Sequence, residues 1–269
     1  MKYYKHITTP FASVFSHPYL FAGFLKKEIK GRFAGTLAGM LWTLISPLAS
    51  IIIYLFIFSQ VLRIEIHAAE NGTDSFVIFF LSGFFPWLFF SEGLSRSVGI
   101  LIQNANLISK VVFPVELLPA CSVISAFVIN GIGLAMFLIY LGFQGYAHPV
   151  WLLLFFLIPV QIVFIWGLAN LLSAICVFIR DINELLPIIL MVWFYATPVI
   201  YPLSMIPDAL KPLVSMNPGF WFTELYRSVL IVHQMQWQIF FQMCSAAILS
   251  FAFGSWFFMR AKPAFGDVL

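Results

Sequence analysis

The sequence predicts an all-α integral membrane protein, and three observations carry that expectation. Hydrophobic residues make up 62% of the 269 and charged residues only 9%, against roughly 45–50% and 25% in a soluble domain. Uncharged runs as long as Phe33–Leu62 and Leu117–Ile179 interrupt the chain. The 32 Phe, 9 Tyr and 8 Trp bring the aromatic share to 18%. So few charges cannot cover a soluble globule without large apolar patches, and a disordered chain would be polar and charge-rich. Leu, Ile and Val would serve lipid-facing helices equally well, so the aromatic surplus calls for its own explanation.

Elements follow in chain order. Residues 1–36 form a cytoplasmic N-terminus, whose first ten residues lack a signal-peptide core. Within it, His17–Lys30 has helical periodicity, with Leu20, Phe21, Phe24, Leu25 and Ile29 on one face and Lys26, Lys27 and Lys30 on the other. Pro18 suits a first helical turn, and a basic amphipathic helix lies in the headgroup layer. It serves either as a passive anchor or as a platform for a cytoplasmic partner or lipid substrate. A span needs roughly 20 apolar residues, which places spans at 37–62, 75–92, 115–141, 150–179, 185–200 and 237–259. The long run from Leu117 breaks at the Gly142–Pro149 loop.

Six spans put both termini on one side, and the positive-inside rule makes it the cytoplasm. Eleven cations (Lys2, Lys5, Lys26, Lys27, Lys30, Arg32, Arg96, Lys110, Arg180, Arg260 and Lys262) then face inward, against Arg63, Lys211 and Arg227 outside. The tail 260–269 is cytoplasmic.

Residues 201–234 are apolar but cut by Pro202, Pro207, Pro212 and Pro218. They read as two short helices, about 203–216 and 220–232, turning at Asn217-Pro218-Gly219. One possibility is a re-entrant hairpin, because irregular backbone at membrane depth is tolerated only against protein or a water-filled cavity. The other is an extracellular amphipathic cap. Between the second and third spans, residues 93–112 form a cytoplasmic loop long enough to hold its own helix, and Arg180-Asp181 opens a tighter second turn.

Catalytic motifs are lacking. The sequence holds no GxxxxGK[ST], HExxH or GxSxG pattern. Cys121, Cys176 and Cys244 lie in apolar runs without metal-ligand spacing. The charge of +3 shows no basic stripe that would suit nucleic acid. No metal site, catalytic residue or cofactor is expected in this chain. If ATP drives it, a different subunit binds the nucleotide.

Four stretches in register resemble one family. Phe33–Pro47 through Ser59 is similar to the first-span signature of the ABC-2 polysaccharide-export permeases. Asn104–Pro114 with Glu116-Leu-Leu-Pro119 resembles that family's first cytoplasmic loop, and Phe178–Ile182 its second. Thr197–Pro202 with Asn217-Pro218 and Arg227 resembles its outer hairpin. Val115 departs from the pattern, standing where relatives often carry a basic residue. The resemblance implies a homodimer joined by two ATP-binding subunits, where ATP and Mg would act. Tyr19, Phe24, Arg96, Gln103, Asn104, Ala105, Asn106, Leu107, Arg180 and Asp181 would meet those subunits. The cargo it implies is an undecaprenyl-pyrophosphate-linked glycan crossing the bacterial inner membrane.

Flat aromatic faces suit the C–H faces of sugars, and a ring-lined path lets a glycan slide without being trapped. The candidate channel rings are Trp42, Tyr54, Phe80, Phe84, Phe85, Trp87, Phe89, Phe90, Trp193, Tyr195, Tyr201, Phe220 and Trp221. Helix packing and interfacial belts are the alternative use for such rings. Glu224 and Arg227, three apart, are expected to pair and to form the exit with Asn217 and Pro218. Lys26, Lys27, Lys30 and Arg32 are candidates for lipid entry, or for ordinary anchoring to anionic membrane lipids. Two other classes stay open. A membrane enzyme acting on lipid-linked sugars would use Glu65, Glu70 and Asp74, and an ABC-2 exporter of a drug or lipid would need fewer rings.

Overall fold

The computed structural model describes residues 2–32, 35–61 and 72–269, and among them the protein is helical with no strand. Its helices are α1 (Lys2–Ser16), α2 (Pro18–Gly31), α3 (Trp42–Leu55), α4 (Phe76–Val98), α5 (Ile100–Gln103), α6 (Ala105–Lys110), α7 (Leu117–Phe143), α8 (Leu154–Phe178), α9 (Ile182–Ala196), α10 (Lys211–Ser215), α11 (Pro218–Arg227), α12 (Trp237–Ala261) and α13 (Phe265–Val268). Four stretches are long and apolar enough to cross a membrane: Phe76–Val98, Leu117–Phe143, Pro149–Phe178 and Trp237–Val268. Trp42–Leu55 and Ile182–Ala196 are shorter apolar helices. Residues Arg63, Glu65, His67 and Glu70 lie outside the described residues.

Helices long enough to cross a membrane stand at the expected 75–92, 115–141, 150–179 and 237–259, while those at the expected 37–62 and 185–200 are shorter, and three further differences appear. The helix expected at 75–92 runs on to Val98. Glu92 does not end it, because Arg32 and Arg96 both bind its carboxylate. The first arm of the expected hairpin is a short 3-10 turn, Leu203–Met205, and the five-residue α10, since its prolines remove the donors a longer helix needs. The N-terminus also holds α1, which packs along α12 through Phe11, whose ring lies 6.1 Å from Trp166 and 6.4 Å from Phe251.

α4 is the central helix. α7, α8, α9 and α11 pack round it, and most of its residues are buried. α8 and α12 form the closest pair, because Gly167 and Gly254 face each other where any side chain would overlap the opposite backbone. Small residues at such crossings let backbones touch, since lipid supplies no hydrophobic drive between helices. Polar groups add to the seam. Ser250 Oγ donates to the Phe164 carbonyl at 2.9 Å, and Asn170 Nδ2 to Ser255 Oγ at 3.2 Å.

α11 runs antiparallel to α4. Arg227 sits beside Phe79 near one end, while Phe222 reaches Phe90 at 5.9 Å. Phe79 and Phe90 are eleven positions apart, about 17 Å of helix. The Asn217 turn therefore lies far along α4 from its N-terminus.

Candidate functional site

The segment around the Asn217 turn and α11 is fixed by three polar ties. Asn217 caps α11 by accepting from Gly219 N at 2.9 Å, and its Oδ1 also accepts from Trp193 Nε1 at 2.7 Å. Its amide donates to Thr197 Oγ1 at 2.9 Å. Pro218 then supplies the preset first turn. Tyr226 donates to Gln161, which donates to the carbonyl of Pro86. Arg227 makes the third tie. Its Nη1 and Nη2 donate to the carbonyls of Pro198 and Val199, both at 2.7 Å, and its Nε to Phe79 at 3.2 Å.

The expected Glu224–Arg227 pair is thus corrected. Arg227 is turned toward backbone carbonyls and lies 3.6 Å over the Phe79 ring, while Glu224 accepts from Gln236 at 2.8 Å. The reason is burial: Arg227 is 6% exposed, and a buried cation must be hydrogen-bonded, here by the carbonyls that surround it. Phe220, Glu224 and Arg227 still share one cavity of about 370 Å³ with Leu203 and Ser204.

The predicted rings divide. Trp42, Tyr54, Phe84 and Phe85 line a second cavity of about 370 Å³ between α3, α4 and α7, within the size of ligand pockets. Phe80 stacks on Phe84 at 5.2 Å and meets Tyr54 at 4.8 Å. Trp87, Phe89 and Phe90 are a correction. They are buried among Phe127, Phe164, Trp193, Phe194 and Phe222, because α4 is enclosed there by neighbouring helices. Trp87 and Phe90 pack helices and line neither of the cavities above, whereas Phe89 and its stacking partner Phe127 border a separate apolar cavity of about 790 Å³ against α8. Tyr195 is exposed and its carbonyl accepts from Tyr201, while Trp221 donates to Ser215.

One end of the ring-lined cavity is polar, and the sequence reading missed most of it. Arg32 binds Glu92, Arg96 Nε donates to Glu92 at 2.8 Å, and Asn130 Nδ2 donates to it at 2.6 Å. Glu28 lies 3.7 Å from Arg96. Burial pulls the Arg32 guanidinium below its ordinary value, against the opposing charge of Glu92. Arg32 was legible as a cation. Glu92 and Asn130 were not, because they come together only through three separate elements. Of the other predicted entry residues, Lys27 donates to Asn104 at 3.1 Å, and Lys30 is exposed on α2.

Four of the expected partner-contact residues lie near this polar end. Phe24, Arg96, Gln103 and Asn104 line a pocket with Lys27 and Glu28. Phe24 packs on Phe113 at 5.4 Å. Tyr19, Asn106, Arg180 and Asp181 are exposed, Ala105 and Leu107 half-buried. The 93–112 loop and the turn after Arg180-Asp181 approach one another where Asn183 stands against Gly99.

Residues 19–231 match the family model described as ABC-2 type transporter. The chain is 29% identical to the O-antigen export system permease protein RfbA of Myxococcus xanthus over 220 residues, 80% of this chain and 82% of the relative. It is 26% identical to a protein of that name from Klebsiella pneumoniae over 246 residues, covering 90% and 92%. With the polysialic acid transport protein KpsM of Escherichia coli it shares 24% identity over 207 residues, 76% and 78% of the two chains.

Proposed function

Because the chain belongs to the ABC-2 type transporter family, we propose that it is the permease subunit of an ABC transporter exporting an O-antigen-like polysaccharide. The cargo would be linked to undecaprenyl pyrophosphate and would cross the bacterial inner membrane. The observation that carries this reading is the cavity in which Trp42, Tyr54, Phe84 and Phe85 stand over Arg32, Glu92 and Asn130. Rings with polar groups at one end suit a sugar chain with an anionic terminus. The names of the relatives favour the same cargo class.

In this reading α3 and α9 complete six spans with the four longer helices, and both termini are cytoplasmic. The run of α11 down α4 supports a re-entrant hairpin. Two copies of the chain associate, and two separate subunits bind ATP and Mg against α2, the loop holding α5 and α6, and the Arg180-Asp181 turn. The outward faces of α3 (Leu44, Leu48, Ile52) and α9 (Ile188, Val192, Tyr195) are exposed in the single chain and suit a second copy. Lys26 and Lys30 hold α2 on anionic lipid.

The test is purification after mild detergent extraction, followed by export of labelled glycolipid in proteoliposomes. Stoichiometric recovery of an ATP-binding subunit and ATP-dependent export are expected. Recovery of the chain alone, with no nucleotide-dependent transport, would reject the reading. Cysteine at Val192 is expected to cross-link between copies.

A further inference from the structure

Glu116 has no part in the site above, yet it is among the most buried charged residues described, at 2% exposure. It stands at the N-terminal boundary of α7, directly after the cytoplasmic loop. Each carboxylate oxygen has its own partner. Ser13 Oγ of α1 donates to Oε1 at 2.6 Å, and Lys262 Nζ, just beyond α12, donates to Oε2 at 2.7 Å. Around them Ile100, Leu101, Val115, Leu118, Phe258 and Phe265 form one apolar cluster. Four parts of the chain therefore meet here: the N-terminal helix, the loop, the start of α7 and the tail after α12.

We propose that Glu116 is a positioning residue that gears the cytoplasmic loop to α1 and to the tail after α12, so that displacement of the loop moves the last span. The inference rests on the transporter reading. A buried carboxylate stripped of its cation is strongly unfavourable, so α7 and the end of α12 move together or not at all. Lys262 reaches in from the surface with its side chain 31% exposed, while the Glu116 side chain is 3% exposed. The junction on the loop side is stiff. Pro114 restricts Phe113 before it, and Pro119 fixes φ in the first turn of α7. Val115 fits this arrangement: it is buried in the cluster, and the cation for Glu116 comes from position 262.

The experiment uses the transporter assembled with its ATP-binding subunits in proteoliposomes, measuring glycolipid exported per ATP hydrolysed. Lys262→Met is expected to lower that ratio about tenfold while hydrolysis stays within about twofold, a coupling loss of ordinary allosteric size. Lys262→Arg, which keeps the charge, is expected to retain the ratio. Glu116→Gln should behave as Lys262→Met does. Where Glu116→Gln does not assemble, the Met and Arg pair at 262 decides. An unchanged ratio in Lys262→Met overturns the proposal, as does equal loss in Lys262→Arg. Failure of Lys262→Met to assemble would mark the contact as a plain staple, which also overturns it. Absence of ATP-dependent export in the wild type would instead reject the transporter reading.

Discussion

The guanidinium of Arg227 occupies the space that a side chain at position 83 would need: a Cβ on Gly83 would stand 2.7 Å from its Nη2. Gly83 and Arg227 are therefore two halves of one tie between α4 and α11. The buried carbonyls of Pro198 and Val199 depend on it, and it shares the Phe79 carbonyl with Ser82 Oγ.

Arg227→Ala is expected to cost about 2–3 kcal/mol, the range for hydrogen bonds to a charged group. Gly83→Ala should weaken the same tie. Both should appear as lower folded yield and melting temperature in detergent. Arg227→Ala protein of wild-type stability but lost export would restore the exit role.

The cavity rings separate from the packing rings by experiment. Tyr54→Ala and Phe84→Ala should reduce export about two- to tenfold at normal abundance, as loss of single aromatic contacts does. Phe90→Ala should act through abundance, because a buried Phe replaced by Ala costs about 3–5 kcal/mol. Equal abundance loss at all three positions would remove the distinction.

A side chain at Gly254 would overlap the Gly167 backbone. Gly254→Ala should destabilise by about 1–3 kcal/mol, the usual cost of overpacking. Gly145→Ala meets open space but holds φ +86, so it should be strained only locally. Thermal melts of the two variants compare a crossing with a turn.

His233 adopts a left-handed backbone, φ 59, and its ring stacks on His148 at 4.6 Å, with Tyr146 at 6.4 Å. Burial first, then the neighbouring His148, hold His233 below its ordinary value of 6.5. The unfolded chain therefore takes up the proton first. Stability is full above about pH 6.5 and falls as the pH drops through that value. Melting temperature should decline from pH 7.5 to 5.5, and His233→Asn, which tolerates the left-handed region, should flatten the slope. An unchanged slope would exclude this pair as the cause.

The spans were legible because lipid demands long uncharged runs, and 115–141, 150–179 and 237–259 fall within a few residues of α7, α8 and α12. α1 was not legible. Thr8, Thr9 and Pro10 are weak interior helix formers, and contacts with Trp166 and Phe251 stabilise it instead. In the candidate site, Tyr54 and Phe84 were found by residue type alone. Glu92 looked like a span end because its partners come from α2 and α7. Glu116 and Lys262 are 146 positions apart, a pairing that no local pattern encodes.

The glycine crossing of α8 and α12 divides the molecule mechanically. With backbones in contact and polar ties along the seam, the two helices have no slack in which to slide or roll against each other, and with α1 laid along them they can travel only as one block. α3 and α9 are the opposite case. Only Thr43 and Ile51 on one, and Leu186 and Leu190 on the other, are buried. A path that must widen for a bulky chain and close again behind it has its pliable walls there, beside a block that shifts only as a unit.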